Sequence, residues 1–193
     1  MEKRGEKMAD EDAFKQKQEF LEQAEISLML SSYNDIFSDF DPRPFSQRAL
    51  SVDFLDEARR ATRELKNGQF QLRLLIPQDE RRVEKEVIIK KRLKEHFKKH
   101  KEMLEKEQKK LFLQGSLFVV FGVIFMFVAS YLLFVYPHRN LVMEFLIVIL
   151  QPAGWFFFWE GLGLMIFESK EKKPELEFYR KMSRAEIIFT HYK

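Results

Sequence analysis

The chain has 193 residues with 33 basic and 30 acidic side chains, and its formal net charge of +3 does not by itself indicate a nucleic-acid partner. It contains no cysteine, which excludes disulfides, thiolate metal sites and a cysteine nucleophile. The mean hydropathy of −0.33 would suit a soluble protein, but it averages a highly charged majority with two long apolar runs.

The N-terminal segment, residues 1–24, is charged and lacks the apolar core of a signal peptide. A helix is predicted over residues 10–24, where apolar side chains recur on one face. The stretch that follows has apolar side chains at alternate positions, Ile26, Leu28 and Leu30. This period of two predicts a strand, with a continuing helix as the alternative.

Residues 33–45 combine two prolines with three aspartates, which exclude a regular helix or strand. Four apolar side chains predict that this loop is packed: Ile36, Phe37, Phe40 and Phe45. Because loops often carry function, we predict a partner-binding site formed by the charged side chains Asp35, Asp39, Asp41 and Arg43. The favoured interpretation of the aspartates, however, is that they cap helices or pair with Arg43 and Arg48. Calcium binding is not predicted, because the spacing is irregular and the required glycine is missing.

A helix is predicted from a cap at Ser46 or Ser51 to about residue 65, where its apolar positions keep the helical spacing. Asn67 and Gly68 end this helix. A strand over residues 70–76 follows, and Pro77 closes it.

A long basic stalk helix is predicted next, because no helix breaker occurs between positions 81 and 114. Its thin apolar seam is Val83, Val87, Leu93, Phe97, Leu104 and Leu111. The helix closes the predicted cytoplasmic part, residues 25–110, and continues into the first apolar run; a hinge near Gln114 and Gly115 is the alternative. His96 and His100 share a helical face, as zinc ligands do, but nearby lysines repel cations and favour an exposed or headgroup-facing pair.

Two apolar runs, residues 111–136 and 141–167, are joined by the short loop 137–140. Each run exceeds the roughly 20 residues that span a bilayer as a helix, which predicts a transmembrane hairpin. Basic residues flank both runs, so we expect cytoplasmic termini, an external loop and residence in the cell (inner or plasma) membrane. The lysines nearest the bilayer are predicted to contact anionic lipid headgroups: Lys106, Lys109, Lys110, Lys170, Lys172 and Lys173.

Small residues recur every seven positions in both runs. They are Gly115, Gly122 and Ala129 in the first run and Gly154 and Gly161 in the second. Folding the hairpin about His138 brings Gly122 level with Gly154 and Gly115 level with Gly161. This match predicts close packing of the two helices, with a seam between subunits as the alternative.

Polar side chains are costly inside a membrane, and the second run contains Glu144, Gln151 and Glu160. Glu144 is expected near the outer interface, and Gln151 precedes Pro152, which is expected to kink the helix. Glu160 is predicted to lie near the cytoplasmic interface, hydrogen-bonded to Ser116 or Gln114; the alternative is an ion or proton site or an oligomer contact. The aromatic cluster at residues 155–159 favours packing against lipid or another subunit.

The tail, residues 168–193, is predicted to hold a short helix over residues 175–182, begun by Pro174, and a final strand over residues 186–192. The predicted fold is therefore an α-helical membrane hairpin of two transmembrane helices with a small cytoplasmic α+β domain. The last strand would return after the hairpin to join the sheet of this domain.

No nucleotide-binding, nucleophile-elbow or zinc-protease motif occurs, so no catalytic, cofactor or metal residues are predicted. The favoured function is a non-enzymatic membrane protein that forms a homo-oligomer or serves as a small structural subunit of a membrane complex. The alternatives are an oligomeric ion channel or transport accessory that uses Gln151 and Glu160, and a membrane-bound sensor or effector that uses the loop 35–45. The expected partners are membrane lipids and further copies or another membrane protein, not nucleic acid.

Overall fold

The computed structural model describes residues 24–63, 70–138 and 140–192. The predicted N-terminal helix (apart from Ala24), the end of the next helix at Asn67 and Gly68, and Arg139 of the loop lie outside these ranges. The chain divides into two compact units, one of Met1–Lys101 with Glu177–Lys193 and one of Glu102–Leu176. We name them the sheet unit and the hairpin unit.

The sheet unit is built on three parallel strands in the order β1 (Ala24–Met29), β2 (Phe70–Pro77) and β3 (Glu186–Tyr192). In their register, Leu28 pairs with Leu74 and Leu74 pairs with Phe189. All three predicted strands are therefore confirmed. Parallel pairing requires long crossovers, and the connection from β2 to β3 contains both of the long apolar helices.

The core of the sheet unit follows from the alternation of side chains along β2. Every second residue of β2 is buried, starting at Phe70, and Ile187 and Phe189 of β3 are also buried. Three helical stretches of this unit add further buried side chains: Phe54 and Ala58 of α1 (Val52–Arg63), Leu93 and Phe97 of α2 (Val83–Val135), and Phe178 and Met182 of α4 (Ser169–Arg184). Each of the Phe, Leu, Ile and Met side chains contributes about 1.5–3 kcal/mol on burial.

The predicted seam of α2 is confirmed at Leu93 and Phe97 but is wrong at the start of the helix. Val83 and Val87 are exposed, whereas Glu86, Ile89, Leu93 and Phe97 are buried. The observed positions are spaced by three, four and four residues, which keeps them on one helical face. The predicted seam jumped six residues from Val87 to Leu93 and left that face. The helix is regular through Gln114 and Gly115, so the alternative hinge there is wrong.

The hairpin unit contains the C-terminal half of α2 and the helix α3 (Leu141–Gly163). Both helices are long and apolar enough to cross a membrane. Asn140 caps α3, because its side-chain oxygen accepts a hydrogen bond from the backbone N–H of Met143 at 3.0 Å.

A π-helical turn, Leu164–Glu168, connects α3 to α4. The predicted helix start at Pro174 is wrong, because Pro174 lies inside α4. Since helical geometry already continues out of α3, the proline removes one backbone donor from a helix that is already formed.

Candidate functional site

The two apolar helices meet backbone to backbone at two levels. A Cβ atom built on Gly122 would lie 2.5 Å from the backbone nitrogen of Phe158 and 2.7 Å from the carbonyl oxygen of Gly154. One built on Gly161 would lie 2.5 Å from the carbonyl oxygen of Gly115. Real Cβ atoms do not approach other atoms so closely, so both levels require glycine. The structure thus brings together the two pairs that the sequence matched in depth.

Apolar side chains fill the space around these glycines. Phe157 of α3 meets Phe118 and Phe125 of α2 edge-on, with 5.5 and 5.6 Å between ring centroids. Ala129 and Ile147 are buried nearer the loop. The hairpin therefore holds together by close apolar packing, which is how membrane helices associate.

Glu160 does not make the predicted hydrogen bond to Ser116 or Gln114. Its side chain is exposed and forms no hydrogen bond or ion pair with any described residue. The Ser116 hydroxyl instead donates to the carbonyl oxygen of Phe112 at 2.8 Å. Ser116 lies one residue after Gly115, whereas Glu160 lies one residue before Gly161, the glycine that Gly115 contacts. Because the two helices are antiparallel and each residue turns the helix by about 100°, the two side chains lie on opposite sides of the hairpin.

Gln151 and Glu160 do not share a face of α3. They are nine positions apart in the sequence, which is about two and a half turns of helix and places them on opposite sides. Gln151 is exposed, and its side chain forms no hydrogen bond within the described part of the chain. Glu144 lies in the first turn of α3, where an acidic side chain interacts favourably with the positive end of the helix dipole.

An exposed aromatic pair lies on the side of α3 that carries Gln151. Trp155 and Trp159 stack with 6.3 Å between ring centroids and an interplanar angle of 17°. Both rings are exposed on the hairpin surface. The predicted packing of these rings against lipid or another subunit stays a prediction.

The charged loop residues are engaged in holding the loop together. The guanidinium of Arg43 donates three hydrogen bonds of 2.7–3.1 Å to the carboxylate of Asp41, which also accepts from the backbone N–H of Ala49. These bonds lower the pKa of Asp41 well below its usual range. Asp35 completes a capping box with Ser32.

The remaining predicted loop residue, Asp39, is 3.8 Å from the Arg48 guanidinium. The capping and ion-pair alternative thus describes all three aspartates. Phe37 stacks on Phe45 with 5.0 Å between centroids. The expectation that Phe40 packs as well is wrong, because its ring is 99% exposed at the tip of the loop.

A buried charge network at the carboxyl ends of the strands was missed from the sequence. Glu86 is only 4% exposed and accepts a hydrogen bond from Nε of Arg81 at 2.8 Å. The hydroxyl of Tyr33 accepts from the backbone N–H of Arg82 and donates to Glu86, and burial raises the pKa of Tyr33. The available signal was spacing, since Glu86 keeps the helical register of the buried seam. Because the carboxylate is paired, the network is a structural ion pair.

The two stalk histidines form a stack rather than an exposed pair. His96 is half-buried, its ring centroid lies 4.0 Å from that of His100, and His100 stacks on Tyr179 at 5.1 Å. Burial first, and then the nearby charges of His100, Arg92 and Lys99, lower the pKa of His96 to about 4. Within residues 24–63, 70–138 and 140–192, no cluster of three or more His, Asp or Glu could hold a metal.

The lysines predicted to contact headgroups all lie in the hairpin unit, next to its two apolar helices. Lys172 pairs with Glu107 at 2.8 Å, and this contact raises the pKa of Lys172. The five others are exposed: Lys106, Lys109, Lys110, Lys170 and Lys173. The geometry leaves these ammonium groups at the surface, where anionic groups can approach them.

Comparison of the chain with known protein families, with curated proteins and with solved structures found no match.

Proposed function

We propose that this chain is a non-enzymatic integral membrane protein that assembles with copies of itself or as a small structural subunit of a membrane complex. The observation that carries the proposal is the surface of the hairpin. Its two apolar helices pack glycine to glycine, yet Glu160 remains exposed without a side-chain partner among the described residues. Polar groups in that position are costly against lipid and favourable against another chain.

The proposed orientation rests on charge. Exposed lysines lie next to the apolar stretches of both helices, whereas the loop that joins these helices at their other end begins with Pro137 and His138. Basic residues are retained on the cytoplasmic side of membranes. The termini are therefore proposed to be cytoplasmic, in the cell membrane.

Cross-linking in native membranes, followed by mild detergent extraction, tests the assembly directly. The proposal expects a particle heavier than the 23.3 kDa monomer, containing only this chain or this chain with a second membrane protein. A protein that leaves the membrane in alkaline carbonate, or that extracts as a clean monomer without cross-links, contradicts it.

A channel is a narrower version of this assembly. Because Gln151 and Glu160 lie on opposite sides of α3, one pore can be lined by only one of them. A pore lined by Glu160 predicts that Glu160→Gln changes ion conduction in reconstituted bilayers, while Gln151→Leu leaves it unchanged. Equal currents from wild type and Glu160→Gln, or no current from either, count against a channel.

A sensor or effector role is favoured by one observation, the exposed Phe40 ring on a loop that Asp41 and Arg43 hold in place. A preorganised aromatic side chain is a good anchor for a partner protein. Phe40→Ala would then abolish capture of that partner, and Asp41→Ala would weaken it by loosening the loop. Unchanged capture by both variants would remove the loop as a binding site.

A further inference from the structure

One side of the hairpin carries two polar side chains that form no hydrogen bond with the rest of the described chain. Glu160 directly precedes Gly161, Gln114 directly precedes Gly115, and these two glycines are in contact. A helix turns by about 100° per residue. Because the two helices are antiparallel, one step back from each glycine leads to the same side of the hairpin. We name this side, defined by Gln114 and Glu160, the acidic flank.

Contacts inside the hairpin agree with this assignment. The ring centroid of Phe157 lies 5.5 Å from that of Phe118 and 5.6 Å from that of Phe125. All three rings lie on the same side of the glycine contact as the acidic flank. Ser116 follows its glycine instead, and its hydroxyl lies 3.9 Å from the Sδ atom of Met165 on the other side. The two sides of the hairpin are therefore distinct in composition.

Both polar side chains of the acidic flank are exposed, and neither bonds to another described residue. Glu160 lies seven residues, about 10 Å along the helix, before Phe167, where the apolar run ends. A carboxyl group at that depth is unfavourable if it faces lipid. This step rests on the proposed membrane location, since in water the same group would need no partner.

We propose that the acidic flank is a two-fold interface with a second copy of this chain, in which Glu160 of each copy accepts a hydrogen bond from the side-chain amide of Gln114 of the other. A carboxylate accepts and an amide N–H donates, and the glycine contact places the two groups at neighbouring levels. In a two-fold dimer the same surface meets itself, so one complementary pair makes two bonds. No other protein is needed to satisfy the flank.

The test uses the full chain in lipid bilayers, with self-association measured by energy transfer between labelled copies. Glu160→Leu and Gln114→Leu are each expected to weaken dimerisation about tenfold. The double variant is expected to lose little more than either single variant, since both changes break the same bonds. Gln151→Leu is the matched control, an exposed polar residue of the same helix on the opposite side, and is expected to change nothing.

A second measurement leaves the polar pair intact. Since the chain has no cysteine, single cysteines can report which side faces the second copy. Phe121 lies seven residues after Gln114 and shares its side, whereas Val123 lies nine residues after it on the opposite side. Both are 49% exposed. A short thiol cross-linker is expected to join copies of Phe121→Cys and not copies of Val123→Cys.

The possible failures are distinguishable. Wild-type protein that self-associates while Gln151→Leu, and not Glu160→Leu, weakens the association overturns the acidic flank but leaves the proposed assembly standing. Cross-linking between copies of Val123→Cys, without cross-linking between copies of Phe121→Cys, would likewise overturn the acidic flank but not the assembly. A wild-type chain that stays monomeric in bilayers, with neither cysteine variant cross-linked, overturns both the flank and self-assembly.

Discussion

At the scale of single residues, the hairpin depends on positions where a methyl group has no space. The atoms that a Cβ of Gly122 would meet are backbone atoms of Phe158 and Gly154, which cannot move without shifting α3. By contrast, a Cβ atom built on Gly163 of α3 would have no atom within 4 Å. Alanine substitutions at Gly122 and Gly163 therefore distinguish the effect of close helix packing from that of helix propensity.

We predict that Gly122→Ala destabilises the hairpin by about 1–3 kcal/mol, the usual cost of overpacking. Gly163→Ala is expected to be neutral or slightly stabilising, because alanine favours the helix where space allows. Reversible unfolding in bicelles measures both free energies. Equal stability of the two variants would mean that the helices do not approach as closely as described.

A second residue-scale prediction concerns His96, whose folded-state pKa of about 4 lies below the ordinary value of 6.5. The unfolded chain then binds more protons between these two values, so stability rises with pH across that interval and is lost as the pH falls through it. The sheet unit should therefore become easier to denature as the pH falls below about 6.5. His96→Leu removes this dependence, whereas a change at the exposed His191 does not. A pH profile that His96→Leu leaves unchanged contradicts the account.

At the scale of elements, α2 shows how one register decides which side chains carry stability. Ile88 and Ile89 are neighbours of identical chemistry, yet Ile88 is 46% exposed and Ile89 is fully buried. Ile89→Ala is expected to cost about 2–5 kcal/mol through lost burial and a cavity. Ile88→Ala should cost less than about 1 kcal/mol. Chemical denaturation of the full chain, followed by a probe in the sheet unit, distinguishes them; similar losses would refute the observed seam.

The seam also shows where prediction from sequence stops. Periodicity found all three strands and both long apolar helices, because alternation and long apolar runs are local signals. Glu86 was missed, since its partners Tyr33 and Arg81 come together only when the strands and α2 pack. Pro174 was wrongly predicted to start a helix. It lies inside α4, which has already begun at Ser169 and tolerates the proline.

Sequence reasoning predicted some features of the candidate site and missed others. The matched depths of Gly122 and Gly154 follow from counting residues about the loop. The absence of a Glu160–Ser116 hydrogen bond depends on which side of each helix meets the other, and that rotation is set by the packing of the folded pair. Phe40 was expected to pack because it is aromatic, but its loop is held by Asp41, Arg43 and Arg48 instead.

At the scale of the whole molecule, the chain leaves its sheet, forms the two long helices and then returns to supply β3. Ile187 and Phe189 of that strand are buried in the sheet unit, and β2 loses its pairing on one side without them. A chain truncated after Arg184 is therefore expected to lose protease resistance in the sheet unit while the apolar helices remain protected in membranes. Undiminished resistance of the truncated chain would show that β3 is dispensable.

We propose above all that the two apolar helices cross a membrane as a hairpin with both ends on one side. Because the natural chain has no cysteine, single cysteines at His138, Lys101 and His191 can be labelled from either side of sealed vesicles. We predict that a membrane-impermeant maleimide reaches His138→Cys only from outside, and Lys101→Cys and His191→Cys only from the cytoplasmic side. Labelling of all three from the same side, or of the two ends from opposite sides, would contradict it.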